Sequence, residues 1–185
     1  MPRKIPVELI ENFLVVWNPP DGSELYKMGF YGKPLGIPKP KIPEFNVPLI
    51  LDLMEGLYLA EKRIIKVYEG ADRKKVSLKK MRQKAKKLYE AFDDKYAVYK
   101  DLRENGLVVT PGIKFGCDFA VYKYGPGLEH APYMVSVKKA SSEVTATDIV
   151  KAGRLATTVR KRFIIAVPDS ERNKIRYLIF KWFKA

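Results

Sequence analysis

The sequence predicts an α+β protein in two parts: a small N-terminal mixed α/β domain over residues 1–105, then a C-terminal domain over 106–185 in which one helix lies across a sheet. Three observations predict it. Helical periodicity is concentrated ahead of residue 105, short β-rich runs dominate after it, and Asn105-Gly106 between them has the chemistry of a left-handed helix stop. At 185 residues the chain can bury one large core or two small ones without covalent staples.

Taken in order, Phe13-Leu14-Val15-Val16-Trp17 reads as a strand that stops in the turn formers Asn18-Pro19-Pro20-Asp21-Gly22. Three prolines within Ile37-Pro38-Lys39-Pro40-Lys41-Ile42-Pro43 exclude regular helix or central strand there and predict a stiff, exposed, basic loop. Asn46 is the expected N-cap, with Pro48 in the first turn, of a buried helix running through Leu49, Ile50, Leu53, Met54, Leu57, Tyr58 and Ala60. A short strand at Ile64–Tyr68 precedes a second helix capped by Ser77, with Leu78, Met81, Ala85, Leu88 and Phe92 inward. Its other face carries Lys79, Lys80, Arg82, Lys84, Lys86 and Lys87, a charge run of the kind that is most often a solvated face. A third helix centres on Tyr96, Tyr99 and Leu102. Beyond it, strands are expected at 107–109, 114–122, 133–137, 163–167 and 175–182, with one helix between the third and fourth whose apolar stripe is Ile149, Ala152, Ala156 and Val159.

Composition narrows the function. Lys plus Arg number 35 against 21 Asp plus Glu, a formal charge of +14, which favours a polyanionic partner, nucleic acid first. Cys117 is the only cysteine and His130 the only histidine, so an intrachain disulfide and a cysteine-histidine zinc site are both excluded. No metal and no cofactor is expected. No apolar run is long enough to cross a bilayer, and the expected setting is the cytoplasm without a membrane partner.

Any proton transfer near pH 7 that needs a histidine must use His130. A lone histidine near a turn is more often a surface or hydrogen-bonded residue, but Tyr122 stands eight positions before it, and Arg154 and Lys161 lie about two helical turns apart further on. Together these supply what metal-free RNA cleavage needs. A ribose 2′-hydroxyl attacks its own neighbouring phosphorus, with a base near the 2′-oxygen, an acid near the departing 5′-oxygen, and a cation beside the phosphorane. His130 suits the acid, Tyr122 the base and Lys161 the cation. A phenol is a poor base at neutral pH, so Lys161 or Arg160 stabilises a phenolate, or Tyr122 chiefly orients the 2′-hydroxyl; the sequence leaves both open.

The segments Tyr26–Gly36, Leu53–Leu59, Val98–Gly106, Gly112–Tyr122, Glu129–Tyr133 and Thr158–Lys161 resemble, in order and over nearly the whole chain, the archaeal-type tRNA-splicing endonucleases. That resemblance implies a restriction-endonuclease-like C-terminal sheet and cleavage of pre-tRNA and other RNAs at bulge-helix-bulge motifs, leaving a 2′,3′-cyclic phosphate and a 5′-hydroxyl. It implies Tyr122 as general base, His130 as general acid and Lys161 as the transition-state cation. All three chemical types are present, as in a catalytic chain. It also implies that Arg154 and Arg176 hold a bulged base between their guanidinium planes, and Lys33, Lys39 and Lys41 are further candidate RNA contacts. Tyr124 is a minor competitor for the role given to Tyr122.

A substrate with two cleavage points about an approximate twofold axis needs two active sites at fixed separation. The family meets this with four units, so either a homotetramer or a two-plus-two heterotetramer with a related noncatalytic subunit is expected. The terminal strand, with Tyr177, Ile179, Phe180, Trp182 and Phe183, is the expected interface. In the loop 167–173 the acids Asp169 and Glu171 are diluted by Arg172, and with the Pro/Lys loop at 37–43 this tilts the expectation to the heterotetramer. Two alternatives remain: a noncatalytic RNA-binding subunit of the same assembly, and a metal-dependent nuclease of related fold. The latter is disfavoured because Ser136 stands where a metal-binding glutamate is needed between Asp118 and Lys138.

Overall fold

The computed structural model describes residues 3–38, 40, 42–158, 161–169, 171–172 and 174–180, and for residues 151 and 155–158 the backbone alone. The protein is α+β and divides into two compact units, residues 1–92 and 93–185.

In the first unit, β1 (Ile5–Ile10) runs antiparallel to β2 (Phe13–Val16) and parallel to β5 (Ile65–Glu69). With β3 (Lys33–Pro34), β4 (Leu49–Leu51) and β6 (Lys74–Lys75) they form a six-stranded sheet in the order β3-β4-β2-β1-β5-β6. Alternation puts Ile5, Val7, Leu9, Leu14, Val16, Leu49, Leu51, Ile65 and Val67 in the core. Helices α1 (Pro19–Gly29), α2 (Leu53–Glu61) and α3 (Leu78–Leu88) contribute Leu25, Leu53, Leu57, Leu59 and Met81, all fully buried.

Two expectations fail here, for local reasons. The run Asn18-Pro19-Pro20-Asp21-Gly22 is not a turn; it opens α1, because proline is pre-set for the first helical turn, where its missing N–H costs nothing. The helix expected from Asn46 starts only after Asp52. Residues 49–51 are the strand β4, and Asp52 forms a capping box in which its carboxylate accepts from the Glu55 N–H at 2.8 Å and Glu55 reaches back to the Asp52 N–H at 3.2 Å. A three-residue apolar run leading into a helix has the same periodicity either way, and pairing with β2 decides it. The expected Ser77 cap is present, its hydroxyl accepting from the Lys80 N–H. Leu78 and Leu88 are nonetheless half-exposed, and Phe92 lies beyond a left-handed turn at Ala91.

Phe92 opens α4 (Phe92–Glu104), which ends at Gly106 with φ 78°, the left-handed conformation that glycine adopts without strain. Compactness groups α4 with the second sheet, ahead of the division expected at 105/106. Tyr99 packs on Phe119 at 6.1 Å between ring centroids, buried Arg103 donates to the Val109 carbonyl at 3.0 Å, and Lys95 pairs with Asp118 at 2.9 Å. Strands β7 (Val108–Pro111), β8 (Phe119–Tyr122), β9 (Tyr133–Val137), β10 (Arg162–Asp169) and β11 (Lys174–Phe180) form a sheet in the order β11-β10-β9-β8-β7. The single expected helix, α5 (Ala146–Thr158), connects the parallel strands β9 and β10, as a parallel pair requires. Of its expected stripe, Ala152 is buried against Phe163 and Ile165, Ile149 is exposed, and the side chains of Ala156 and Val159 lie outside the described residues.

Candidate active site

The register of the second sheet fixes what can meet. β8 runs antiparallel to β9 with Val121 opposite Tyr133, and β9 runs parallel to β10 with Tyr133 opposite Arg162. The last residue of β8, the approach to β9 and the approach to β10 therefore lie at one end of the sheet. Those positions are Tyr122, His130 and Lys161. The Arg162 N–H donates to the Pro132 carbonyl at 2.9 Å, and the Lys161 ammonium donates to the Ala131 carbonyl at 2.7 Å, so the lysine is anchored to the residue that follows His130. Tyr122 is half-buried against a core cluster that includes Ala131, Ala152 and Phe163, and His130 is exposed.

The ammonium of Lys161 also sits 4.8 Å from the centroid of the Phe115 ring. Partial burial strips water from the charged form and holds its pKa below the ordinary lysine value, an effect the Cys117 thiol opposes. A partly desolvated cation at fixed position stabilises a developing anion more than a solvated one does, because less water screens it.

Glu129 was not singled out in the sequence. One of its carboxylate oxygens accepts from the backbone N–H groups of both Lys123 and Tyr124, the latter at 2.6 Å. The N–H groups of Leu128 and Glu129 return to the Gly125 carbonyl, each at 3.3 Å. The connection from Tyr122 to His130 is thus clamped at its base by the residue beside His130. Its sequence signals were that adjacency and its place at the head of the Glu129–Tyr133 segment. The Tyr124 ring, by contrast, is exposed.

The candidate RNA contacts are placed unevenly. Arg154 is exposed on α5. Arg176 is exposed on β11 opposite Val167, with its guanidinium 3.7 Å from Asp169. Val167 is six residues beyond Lys161, about 20 Å along an extended strand, so within one chain Arg176 stands well away from the sheet end that carries Tyr122, His130 and Lys161. Lys33 is exposed on β3 of the first unit; Lys39, Lys41 and Arg160 lie outside the described residues. β11 is an edge strand with Leu178 and Ile179 half-exposed, and Trp182 and Phe183 lie outside the described residues.

The two residues on which a metal-nuclease reading would draw are engaged internally. Asp118 takes Lys95 on one oxygen and the Val137 N–H on the other at 2.8 Å, while Lys138 pairs with Asp148 at 2.6 Å. Among the described residues no group of three or more His, Cys, Asp or Glu could hold a metal ion.

Two family models match the chain. Residues 92–177 match the catalytic C-terminal domain of the tRNA intron endonucleases, and residues 5–82 match the N-terminal domain. The chain belongs to the tRNA intron endonuclease family. Relatives named tRNA-splicing endonuclease include those of Hyperthermus butylicus, 46% identical over 92% of this chain and 93% of its own, and Sulfurisphaera tokodaii, 42% identical over 96% and 98%. That of Saccharolobus islandicus is 41% identical over 95% of this chain and 97% of its own. Family membership makes the protein an endonuclease whose activity is tRNA intron excision. The catalytic-domain match spans Tyr122, His130, Arg154, Lys161 and Arg176. Among the described residues no helix is long and apolar enough to cross a membrane.

Proposed function

We propose that the chain cuts pre-tRNA and other RNAs at bulge-helix-bulge motifs by metal-free transesterification at the sheet end formed by β8, β9 and β10. The 2′-oxygen bonds to the adjacent phosphorus while the bond from phosphorus to the 5′-oxygen breaks. The 2′-hydroxyl proton passes to Tyr122 in its phenolate form, or to water if Tyr122 only orients the hydroxyl, and His130 supplies the proton that the departing 5′-oxygen takes up. Lys161 faces the nonbridging oxygens as their charge builds. The products are a 2′,3′-cyclic phosphate and a 5′-hydroxyl. The observation that carries this reading is the Lys161 bond to Ala131, which tethers the cation beside His130.

Two active sites per substrate require more than one unit. The exposed apolar edge of β11 supports assembly through that strand, into a two-plus-two heterotetramer with a related noncatalytic subunit or a homotetramer of this chain. The separation of Arg176 from Lys161 along the sheet agrees with more than one chain contributing to each bulge. Mass measurement of the chain alone and with candidate partners separates the two assemblies.

The reaction is tested on a bulge-helix-bulge pre-tRNA in excess EDTA. Retained cleavage, with cyclic phosphate ends and no cleavage of a substrate carrying a 2′-deoxyribose at the cut, is expected. Loss of activity in EDTA with recovery in Mg²⁺ would replace the reading by a metal-dependent one. His130→Ala should slow cleavage by about 10²- to 10⁴-fold with binding intact, and an unchanged rate would leave the chain as a binding subunit.

A further inference from the structure

Helix α3 carries Lys79, Lys80, Arg82, Lys84, Lys86 and Lys87 over eleven residues that include no Asp or Glu. Met81 and Ala85 bury the opposite side, so the cations are committed to the outside. Lys80, Lys84 and Lys87 follow the i, i+4, i+7 spacing that puts them in one stripe. The stripe borders an open groove of about 720 Å³ whose other wall includes Asn12, in the turn between β1 and β2. Lys80 already pairs with Glu69 at its ammonium. For Lys84 and Lys87 no acidic neighbour stands on α3 itself.

Although such a face is most often only solvated, like charges three and four residues apart on a helix repel each other, so this row costs stability while water alone faces it. An uninterrupted cationic row is stabilised once an anion lies along it. We propose that this groove is a second RNA-binding site, in which α3 and the β1–β2 turn hold the phosphate backbone of the substrate remote from the cut. This rests on the proposed function. Lysine binds phosphate as a point charge and reads no sequence. The groove lacks the aromatic, lysine-poor centre of a protein interface, having only half-exposed Leu88 at its apolar edge, so RNA fits it better than an acidic protein partner does. The site contributes affinity that does not depend on the bulge geometry.

The test measures the salt dependence of binding by the full chain. The probe is a pre-tRNA made uncleavable by a 2′-deoxyribose at the cut. Lys84→Gln with Lys87→Gln should weaken binding several-fold and reduce the slope of log affinity against log salt by about 1 per lysine. Cleavage of ordinary pre-tRNA at saturation should stay unchanged. An unaltered slope and affinity, as expected if the face serves an acidic protein, would overturn the proposal. So would an equal loss in a control carrying Lys74→Gln with Lys75→Gln on β6, which would make the attraction diffuse. If the unaltered chain cleaves no RNA, the proposed function fails on its own account, and the slope comparison on the uncleavable probe still decides the groove. Lys87 is exposed and Lys84 partly exposed, and matched thermal melts separate a folding artefact from lost binding.

Discussion

Lys161 donates its ammonium proton to the Ala131 carbonyl at 2.7 Å and thereby ties the entry to β10 to the residue after His130. One hydrogen bond couples two chain segments thirty residues apart in sequence. The position of the Lys161 ammonium relative to the backbone that carries His130 is therefore fixed by that bond.

Replacing Lys161 separates charge from position. Lys161→Ala should lower the cleavage rate by about 10²- to 10³-fold, as removal of a preorganised anion-stabilising group does elsewhere. Because burial depresses this lysine's pKa, the cation is lost as pH rises before an ordinary lysine would lose it, and its contribution to the rate should fall away at lower pH than an ordinary lysine's would. Arginine stays charged throughout that range, so Lys161→Arg should keep part of the activity and remove that alkaline fall. A pH-rate profile in which wild type and Lys161→Arg share the same alkaline limb would assign the limb to another group.

Glu129 acts through the backbone it holds. Glu129→Ala frees the Lys123 and Tyr124 N–H groups and should reduce kcat by about 10- to 100-fold with little change in KM, the cost of misplacing reacting groups by about 1 Å. Glu129→Gln keeps an acceptor oxygen and should recover most of the rate. Single-turnover kinetics on the three proteins would read this, and equal loss in both variants would point to the charge of Glu129 instead of its hydrogen bonds.

The start of α5 should be sensitive to acid. Asp148 accepts from Lys138 and from the N–H and hydroxyl of Thr145, and these bonds, Lys138 first, hold its carboxyl down to about 2. An unfolded aspartate titrates near 3.9, so the stabilisation is complete above that pH and is lost as pH falls toward 2. Asp148→Asn keeps an acceptor oxygen for Thr145 but removes the charge that pairs with Lys138, and should cost a few tenths to about 1 kcal/mol at neutral pH. Thermal melts of the two proteins should converge near pH 2, and a difference independent of pH would refute the assignment.

Two glycines in the second unit should respond with opposite signs. A Cβ at Gly112 would stand 2.6 Å from the Cys117 sulfur and 2.8 Å from backbone atoms of Phe119, where β8 begins, so Gly112→Ala should destabilise by about 1–3 kcal/mol. At Gly153, within α5, a Cβ meets nothing within 4 Å among the described residues, and Gly153→Ala should stabilise by about 0.5–1 kcal/mol through helix propensity. Denaturant midpoints would check both.

Local chemistry carried far where one interaction dominated. Ser77 caps α3, Gly106 closes α4, and the strands around Val121, Val135 and Ile165 were legible from β-branched runs with turn residues between them. It misread Asn18-Pro19-Pro20, since proline serves a turn and a first helical turn equally well, and it misread 49–51, since three apolar residues have no period of their own. The outward turn of Ile149 was hidden too, because a helical stripe does not say which of its members the neighbouring strands cover.

The order of residues alone determined the α+β class, the strongly cationic character, the ordered segments that resemble the endonuclease family, and the chemical types at Tyr122, His130 and Lys161. Only the tertiary structure decided that these three share one end of a sheet, that Glu129 clamps the loop between two of them, and that Arg176 lies some 20 Å further along. The reason is physical. Side-chain identity and short-range periodicity are local properties of the chain, whereas proximity across β8, β9 and β10 comes from long-range strand pairing, whose register is set by which faces the whole sheet can bury.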